Sequence, residues 1–464
     1  MNQQIKRTAE SFGIYYDSFY YETNSSGEVI ELELYEPEYN RLTDEDRANH
    51  LRFATTFDKL ESLEISFYDY EITDLSFLSG LKKLKYLSID CNSQFFNLSG
   101  FLHLTELEML HIQGSKLESI AGIELFHKLE YLSLGYSKIK DISLLAKLSA
   151  TLKGIYLSDN QITDISCFAM LHQLEYFHVS KNYISEIPDL TDLTDLTEIM
   201  VDDNQISSLE GLSNLKKLTK LEASGNRLTN IDSLTNLPAI QELYLKNNLI
   251  SDISCLSGLQ TLVNLDISDN KIESLISVSS LKKLNFLSCN NNAIKDFDKT
   301  QLSSSIKFLY LNNCGIRDIR FLNRLAELNT LYLNDNHISE FSSFKNTGCL
   351  RYLSLENNNI AEPFSLNDYP NIHMVSLSGN TFGSKKFAVN PSDRSVGTIK
   401  ELSAMSDHST SDKVTHELDK GPSDFVFNKV RNEHHPFIKA VRIALLVFLI
   451  VMLIILVKAI GFGL

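Results

Sequence analysis

The chain has 464 residues and a formal net charge of −16, with 43 Lys and Arg against 59 Asp and Glu. That balance speaks against nucleic acid, whose phosphates call for a basic surface, and suits the solubility of a large exposed surface. The six cysteines (Cys91, Cys167, Cys255, Cys289, Cys314 and Cys349) contain no C-x-x-C pair. Their spacing suggests neither a zinc site nor a disulfide cap and fits a reducing compartment.

The first residues, MNQQIKRTAESFG, lack the apolar run and small-residue cleavage site of a secretory signal. Next, GIYYDSFYYETNSSGEVIELELY reads as a strand, a turn at Asn24 to Gly27 and a second strand from Glu28. Residues 1–28 are therefore expected to form a cap hairpin. Its aromatic residues (Phe12, Tyr15, Tyr16, Phe19, Tyr20 and Tyr21) would close the open end of a longer core, which is otherwise an aggregation site. Residues 36–59 read as a long irregular connection.

Beyond it one pattern recurs about every 22 residues. In residues 240–261, IQELYLKNNLISDISCLSGLQT, the apolar positions are Ile240, Leu243, Leu245, Ile250, Ile253, Leu256 and Leu259, with Asn248 among them. Sixteen such units start between Val29 and Ile372. The L-x-L core is a period-two strand with its apolar side chains inward. An inward Asn then supplies an amide to backbone groups that the following turn leaves unpaired. One unit cannot bury its own apolar face, so neighbours must stack and share a core. The ladder position carries Asn160, Asn182, Asn204, Asn226, Asn248, Asn270, Asn292, Asn336 and Asn358, with Asn92 and Asn380 nearer the ends. Tyr70, Ser115, Ser137 and Cys314 replace it elsewhere.

The pattern L-x-x-L-x-L-x-x-N-x-I resembles the leucine-rich repeat. Its 22-residue spacing is similar to that of the internalins and the phosphatase regulatory subunit, and the likeness covers 29–382. The resemblance implies an α/β-type repeat solenoid: a horseshoe of about sixteen repeats with a parallel sheet on the concave face. It also implies a recognition scaffold that binds a protein or peptide there. The chain departs from secreted internalins in lacking a signal peptide and an L-P-x-T-G anchor.

Outward strand positions line that face. Toward the N-terminal end they include Tyr86, Tyr131, Tyr156 and Tyr176; toward the C-terminal end, Phe286, Phe308, Tyr310, Tyr332 and Tyr352. Gathered aromatics in a concavity offer large contact area at low entropic cost, so these nine are the expected partner-binding residues. Between the two stripes lies an acidic middle with Glu198, Asp202, Asp203, Glu222, Glu242, Asp266 and Asp269. Phosphate loops, H-E-x-x-H and nucleophile elbows are missing from the sequence. His111 and His178 lie three strands apart, about 14 Å, too far to share a metal. The expectation is a binding protein, neither an enzyme nor a carrier of a cofactor or metal.

Residues 383–435 are polar and read as a flexible tether. Within 436–464, the run IALLVFLIVMLIILV at 443–457 is uninterrupted apolar sequence. With Arg442 and Lys458 snorkelling at its ends, it reads as a single membrane span. Lys429, Arg431, Lys439 and Arg442 precede it, which predicts a tail-anchored protein with cytosolic repeats and the C-terminus across the bilayer. An extracellular receptor or adhesin is the alternative; sequons at Asn24 and Asn97 would permit it.

Overall fold

The computed structural model describes residues 3–381 except 38–40, 68–69, 73–74, 92–96, 346–347 and 363–368. The expected tether, the apolar run at 443–457 and Asn92 lie outside the described residues. No helix among the described residues is long and apolar enough to cross a membrane.

The chain begins with helix α1 (Gln3–Ser11), which buries Ile5 and Ala9. Strand β1 (Phe19–Thr23) pairs antiparallel with β2 (Val29–Tyr35), and β2 pairs parallel with β3 (Ser62–Phe67). The aromatic residues of this region do not act as one cap. Phe19 is buried with its ring 5.3 Å from Phe53, and Phe12 packs on Phe53 from 6.1 Å. Tyr15, Tyr16 and Tyr20 are exposed instead. The difference is strand alternation: Phe19 and Tyr21 face the core, so Tyr20 between them faces solvent.

The stretch 36–59, expected to be irregular, contains helix α2 (Asp44–Ala54). Its start is a reciprocal cap: the Asp46 backbone N–H donates to Thr43 Oγ1 over 3.2 Å, and the Thr43 N–H donates to Asp46 Oδ2 over 2.8 Å. Three acids in its first turn suit the positive helix end. On the inner side Arg47 grips the Glu36 carboxylate with two hydrogen bonds of 2.9 and 3.1 Å, both groups being buried.

From β3 the solenoid proceeds through β4 (Tyr86–Cys91), β5 (Met109–Gln113), β6 (Tyr131–Ser133), β7 (Gly154–Tyr156), β8 (Tyr176–His178) and β9 (Glu198–Met200). It continues through β10 (Lys220–Glu222), β11 (Glu242–Tyr244), β12 (Asn264–Asp266) and β13 (Phe286–Ser288). The last are β14 (Phe308–Tyr310), β15 (Thr330–Tyr332), β16 (Tyr352–Ser354) and β17 (Met374–Ser376). Each of β2 to β17 pairs parallel with the next, and the register puts equivalent repeat positions side by side. Leu221, Leu243, Leu265, Leu287, Leu309, Leu331 and Leu353 thereby form one fully buried row. Burial of each such side chain contributes about 1.5–3 kcal/mol. Behind many strands the return path is a short 3₁₀ turn, such as Ser254–Gly258, whose Leu256 closes the core from behind.

Candidate protein-binding face

Two parallel ladders hold the edge of the sheet. In the buried one, Asn248 Oδ1 accepts the Leu228 N–H, and its Nδ2 donates to the carbonyls of Ala223 and Leu245, each over 3.0 Å. Asn160, Asn182, Asn204, Asn226, Asn270, Asn292, Asn336 and Asn358 repeat this bridge between neighbouring units. Cys314 stands in the same place, and its Sγ lies 3.2 Å from the Cys289 carbonyl oxygen. Ser115 and Ser137 bond each other over 2.7 Å.

The residue before each of these ladder positions is left-handed: Gly114, Tyr136, Asp159, Lys181, Asp203, Gly225, Asn247, Asp269, Asn291, Asn313, Asp335, Asn357 and Gly379 have φ between +51° and +72°. Asn, Asp and Gly tolerate that conformation and so dominate the position. The sequence pattern carried this signal, a small polar residue recurring just ahead of the ladder Asn. Some of these side chains bond in turn, with Asn291 Nδ2 donating to Asp269 Oδ1 over 2.6 Å and Asn313 Nδ2 to Asn291 Oδ1 over 3.0 Å.

The outer face of the sheet is divided in three. At the N-terminal end the expected stripe is not available to a partner. Tyr131, Tyr156 and Tyr176 are buried, Tyr156 almost completely, and Tyr86 is partly buried with its hydroxyl on Glu108 Oε2 at 3.1 Å. Glycine is the reason. A Cβ on Gly154 would stand 2.3 Å from Tyr176 Cζ and 2.8 Å from Tyr131 Cδ1, and one on Gly135 would stand 2.4 Å from Tyr156 Cε1. The rings lie down over these bare backbone positions, and Tyr131 and Tyr176 stack with centroids 6.4 Å apart. His111 and His178 are buried beside them. His111 Nδ1 sits 2.7 Å from Ser133 Oγ, and burial lowers its pKa to about 4. These tyrosines are packing residues.

The acidic middle forms a bonded network. His178 Nε2 lies 3.2 Å from Glu198 Oε1; Lys220 Nζ lies 3.7 Å from Glu198 and 2.7 Å from Glu222. Asp202 accepts the Ser224 N–H over 2.8 Å and faces Ser180 and Glu222. Burial, then the Glu222 charge, pushes its pKa up to about 7. Asp266, also raised by burial, accepts the Ser268 N–H over 2.9 Å.

The C-terminal stripe is accessible. Phe308 and Tyr352 are 37% and 39% exposed, and Phe286, Tyr310 and Tyr332 are half-buried. Phe286 and Tyr310 have ring centroids 5.4 Å apart; Tyr310 and Tyr332 stack at 5.0 Å. The rings support one another and still present their outer edges. This patch combines rigidity, apolar area and exposure.

A nucleophile-like pair, Ser18 Oγ and His50 Nε2 at 2.6 Å, is fully buried and ties helix α2, which carries His50, to the residue before β1. Among the described residues no group of three His, Cys, Asp or Glu is placed to hold a metal ion.

Parallel in-register strands, an asparagine ladder and a shared leucine core define a repeat solenoid of the protein–protein interaction class. Residues 90–417 match the family model described as leucine-rich repeat region, and the chain belongs to that family. A protein phosphatase 1 regulatory inhibitor subunit homologue from Arabidopsis thaliana is 30% identical over 161 residues, 35% of this chain and 47% of that protein. The chain thus spans about half the length of that relative. Among solved structures, an internalin (InlF) of Listeria monocytogenes superposes with a TM-score of 0.53 at 23% identity, covering 71% of this chain and 94% of that one. The functional domain of InlJ from the same organism gives 0.58 at 22%, covering 74% and 70%. The ectodomain of the Arabidopsis thaliana membrane receptor kinase GASSHO1/SCHENGEN3 gives 0.57 at 20%, covering 71% and 42%. These structures share the fold.

Proposed function

We propose that this chain is a membrane-tethered interaction scaffold that binds a protein or peptide on the concave face, through the C-terminal aromatic patch. The observation that carries the reading is the exposure of Phe308 and Tyr352 beside the stacked Tyr310 and Tyr332, where the N-terminal tyrosines are buried. The apolar run at 443–457 serves as the tether, and the basic residues before it favour cytosolic repeats. The free thiols of Cys167, Cys255, Cys289, Cys314 and Cys349 agree with a reducing compartment. The likeness to a phosphatase regulatory subunit homologue makes a phosphatase catalytic subunit the first partner to test.

Two experiments test the reading. Full-length protein carrying Phe308→Ser, Tyr310→Ser and Tyr332→Ser together loses partner capture in a crosslinking assay, while its melting is followed in the same samples. Capture that survives removes the patch from the interface. Protease added to sealed, intact cells leaves the repeats intact; their digestion would establish the extracellular alternative.

A further inference from the structure

The aromatic patch is bordered by a row of asparagines outside the buried ladder. Asn290, Asn312 and Asn334 occupy equivalent positions just past β13, β14 and β15. Each carbonyl is committed: Asn290 Oδ1 accepts the Asn312 N–H, Asn312 Oδ1 accepts the Asn334 N–H, and Asn334 Oδ1 accepts the Glu356 N–H, all over 2.8 Å. Ser354 Oγ also donates to Asn334 Oδ1 over 2.6 Å. A backbone donor permits one orientation of the amide, so these bonds fix which way each NH₂ group is turned.

The three amides differ in what their nitrogens do. Asn290 Nδ2 is within 3.3 Å of Ser288 Oγ. Asn312 and Asn334, both partly exposed, have no partner for Nδ2 among the described residues. The result is two pre-oriented donors one strand apart, with Asn334 Oδ1 already accepting two bonds and Asn312 Oδ1 one. They stand beside Phe308, Tyr310, Tyr332 and Tyr352. Such a surface suits a ligand that offers carbonyl oxygens at short intervals together with apolar side chains.

Charge selects further. On the N-terminal side of the patch stand Glu242 and Asp266, with Asp269 beyond the end of β12. From β12 to β16 is four strand spacings, about 19 Å, the reach of roughly six residues of extended peptide.

Resting on the concave-face reading above, we infer that the patch captures an extended peptide segment of about six residues. Asn312 and Asn334 Nδ2 donate to its main-chain carbonyls, its apolar side chains lie on Phe308, Tyr310, Tyr332 and Tyr352, and a basic residue sits toward Asp266. The donor row sets the extended backbone.

The probe is an array of synthetic hexapeptides, half with Lys or Arg at one end and four apolar residues between, incubated with the full-length protein in detergent. Asn312→Asp and Asn334→Asp keep the Oδ1 acceptor that the backbone needs and remove the donors. Asn290→Asp adds one such charge where the amide already faces Ser288, and so serves as the control for each single substitution. The expected result is selection of basic-ended apolar hexapeptides. The double Asn312→Asp, Asn334→Asp variant weakens them by about tenfold, and the control changes affinity about twofold or less, with melting unchanged in all three. Equal binding by the double variant and wild type overturns the donor assignment. Binding to a parallel oligosaccharide array, with no hexapeptide selected, overturns the peptide assignment. Hexapeptides that still bind after the triple serine substitution would overturn the concave-patch reading itself, a failure separate from the other two.

Discussion

Asn248 Oδ1 accepts the backbone N–H of Leu228, twenty positions earlier, over 3.0 Å. One side chain thereby satisfies a donor of the preceding repeat and, through Nδ2, carbonyls of both repeats. Asn248→Leu leaves the Leu228 N–H buried without a partner and takes one of two amide donors from the Ala223 carbonyl, which keeps Asn226 Nδ2 at 3.2 Å. The expected loss is about 1–3 kcal/mol in a urea melt. An unchanged midpoint would mean that turn geometry alone holds the two repeats together.

The left-handed position ahead of the ladder Asn gives a prediction of opposite sign. Lys181 has φ +55° where its neighbours Asp159 and Asp203 are better suited, and its ammonium lies 3.9 Å from Asp159 in an exposed pair of little energetic weight. Lys181→Asn keeps the Lys181 N–H bond to the Asp202 carbonyl and relieves the side chain of an unfavourable backbone. The melting midpoint rises, by about 0.5–1 kcal/mol in stability. A fall would show that the ion pair outweighs the backbone term.

The legibility of the fold and of the face differ for a physical reason. Leu243, Leu245 and Asn248 were readable because a strand of period two and a turn amide have fixed places in every unit. The exposure of Tyr131 against that of Tyr352 was not, since both occupy the same outward position. What separates them is the neighbouring column: Gly154 lets two tyrosines lie flat, whereas Tyr352 stands between Thr330 and Met374. Helix α2 is hidden in the sequence because its apolar residues keep no clean helical period, although Thr43 and Asp46 stand at capping-box spacing. The left-handed ladder is written in Asp159, Asp203, Asn247 and Asp269, but acidity alone groups Asp203 and Asp269 with the face rather than with the turn.

Gly154→Ala tests the packing account of the N-terminal tyrosines. The new methyl group would meet Tyr176 Cζ at 2.3 Å and Tyr131 Cδ1 at 2.8 Å, so at least one ring must lift from the sheet. The expected cost is about 1–3 kcal/mol, with increased tyrosine accessibility to iodination. If stability holds and neither ring becomes reactive, the rings are mobile enough to serve a partner after all.

The Asp202 carboxyl carries the pH prediction. Burial and the facing Glu222 raise its pKa to about 7, above the ordinary value near 3.9 of an unfolded Asp. Between those limits the folded protein holds a proton that the unfolded chain releases. Its contribution to stability is therefore present in full below about pH 4 and is lost as pH rises through about 7. His111 works against this: its folded pKa of about 4 lies below the ordinary value, so its burial favours folding above about pH 6.5 and penalises it as pH falls. Ser180, Ser224 and the Lys220–Glu222 pair complete the surroundings of Asp202. In Asp202→Asn the amide oxygen still accepts the Ser224 N–H, while the titration is gone. Subtracting its urea-melt stability from that of wild type at each pH cancels His111 and the carboxylates that do not face Asp202, and leaves the titration that Asp202 shares with Glu222. The difference, wild type minus variant, falls from pH 5 to pH 8. A flat difference across that range would show that Asp202 is charged throughout and that Lys220, paired with Glu222, compensates for both acids.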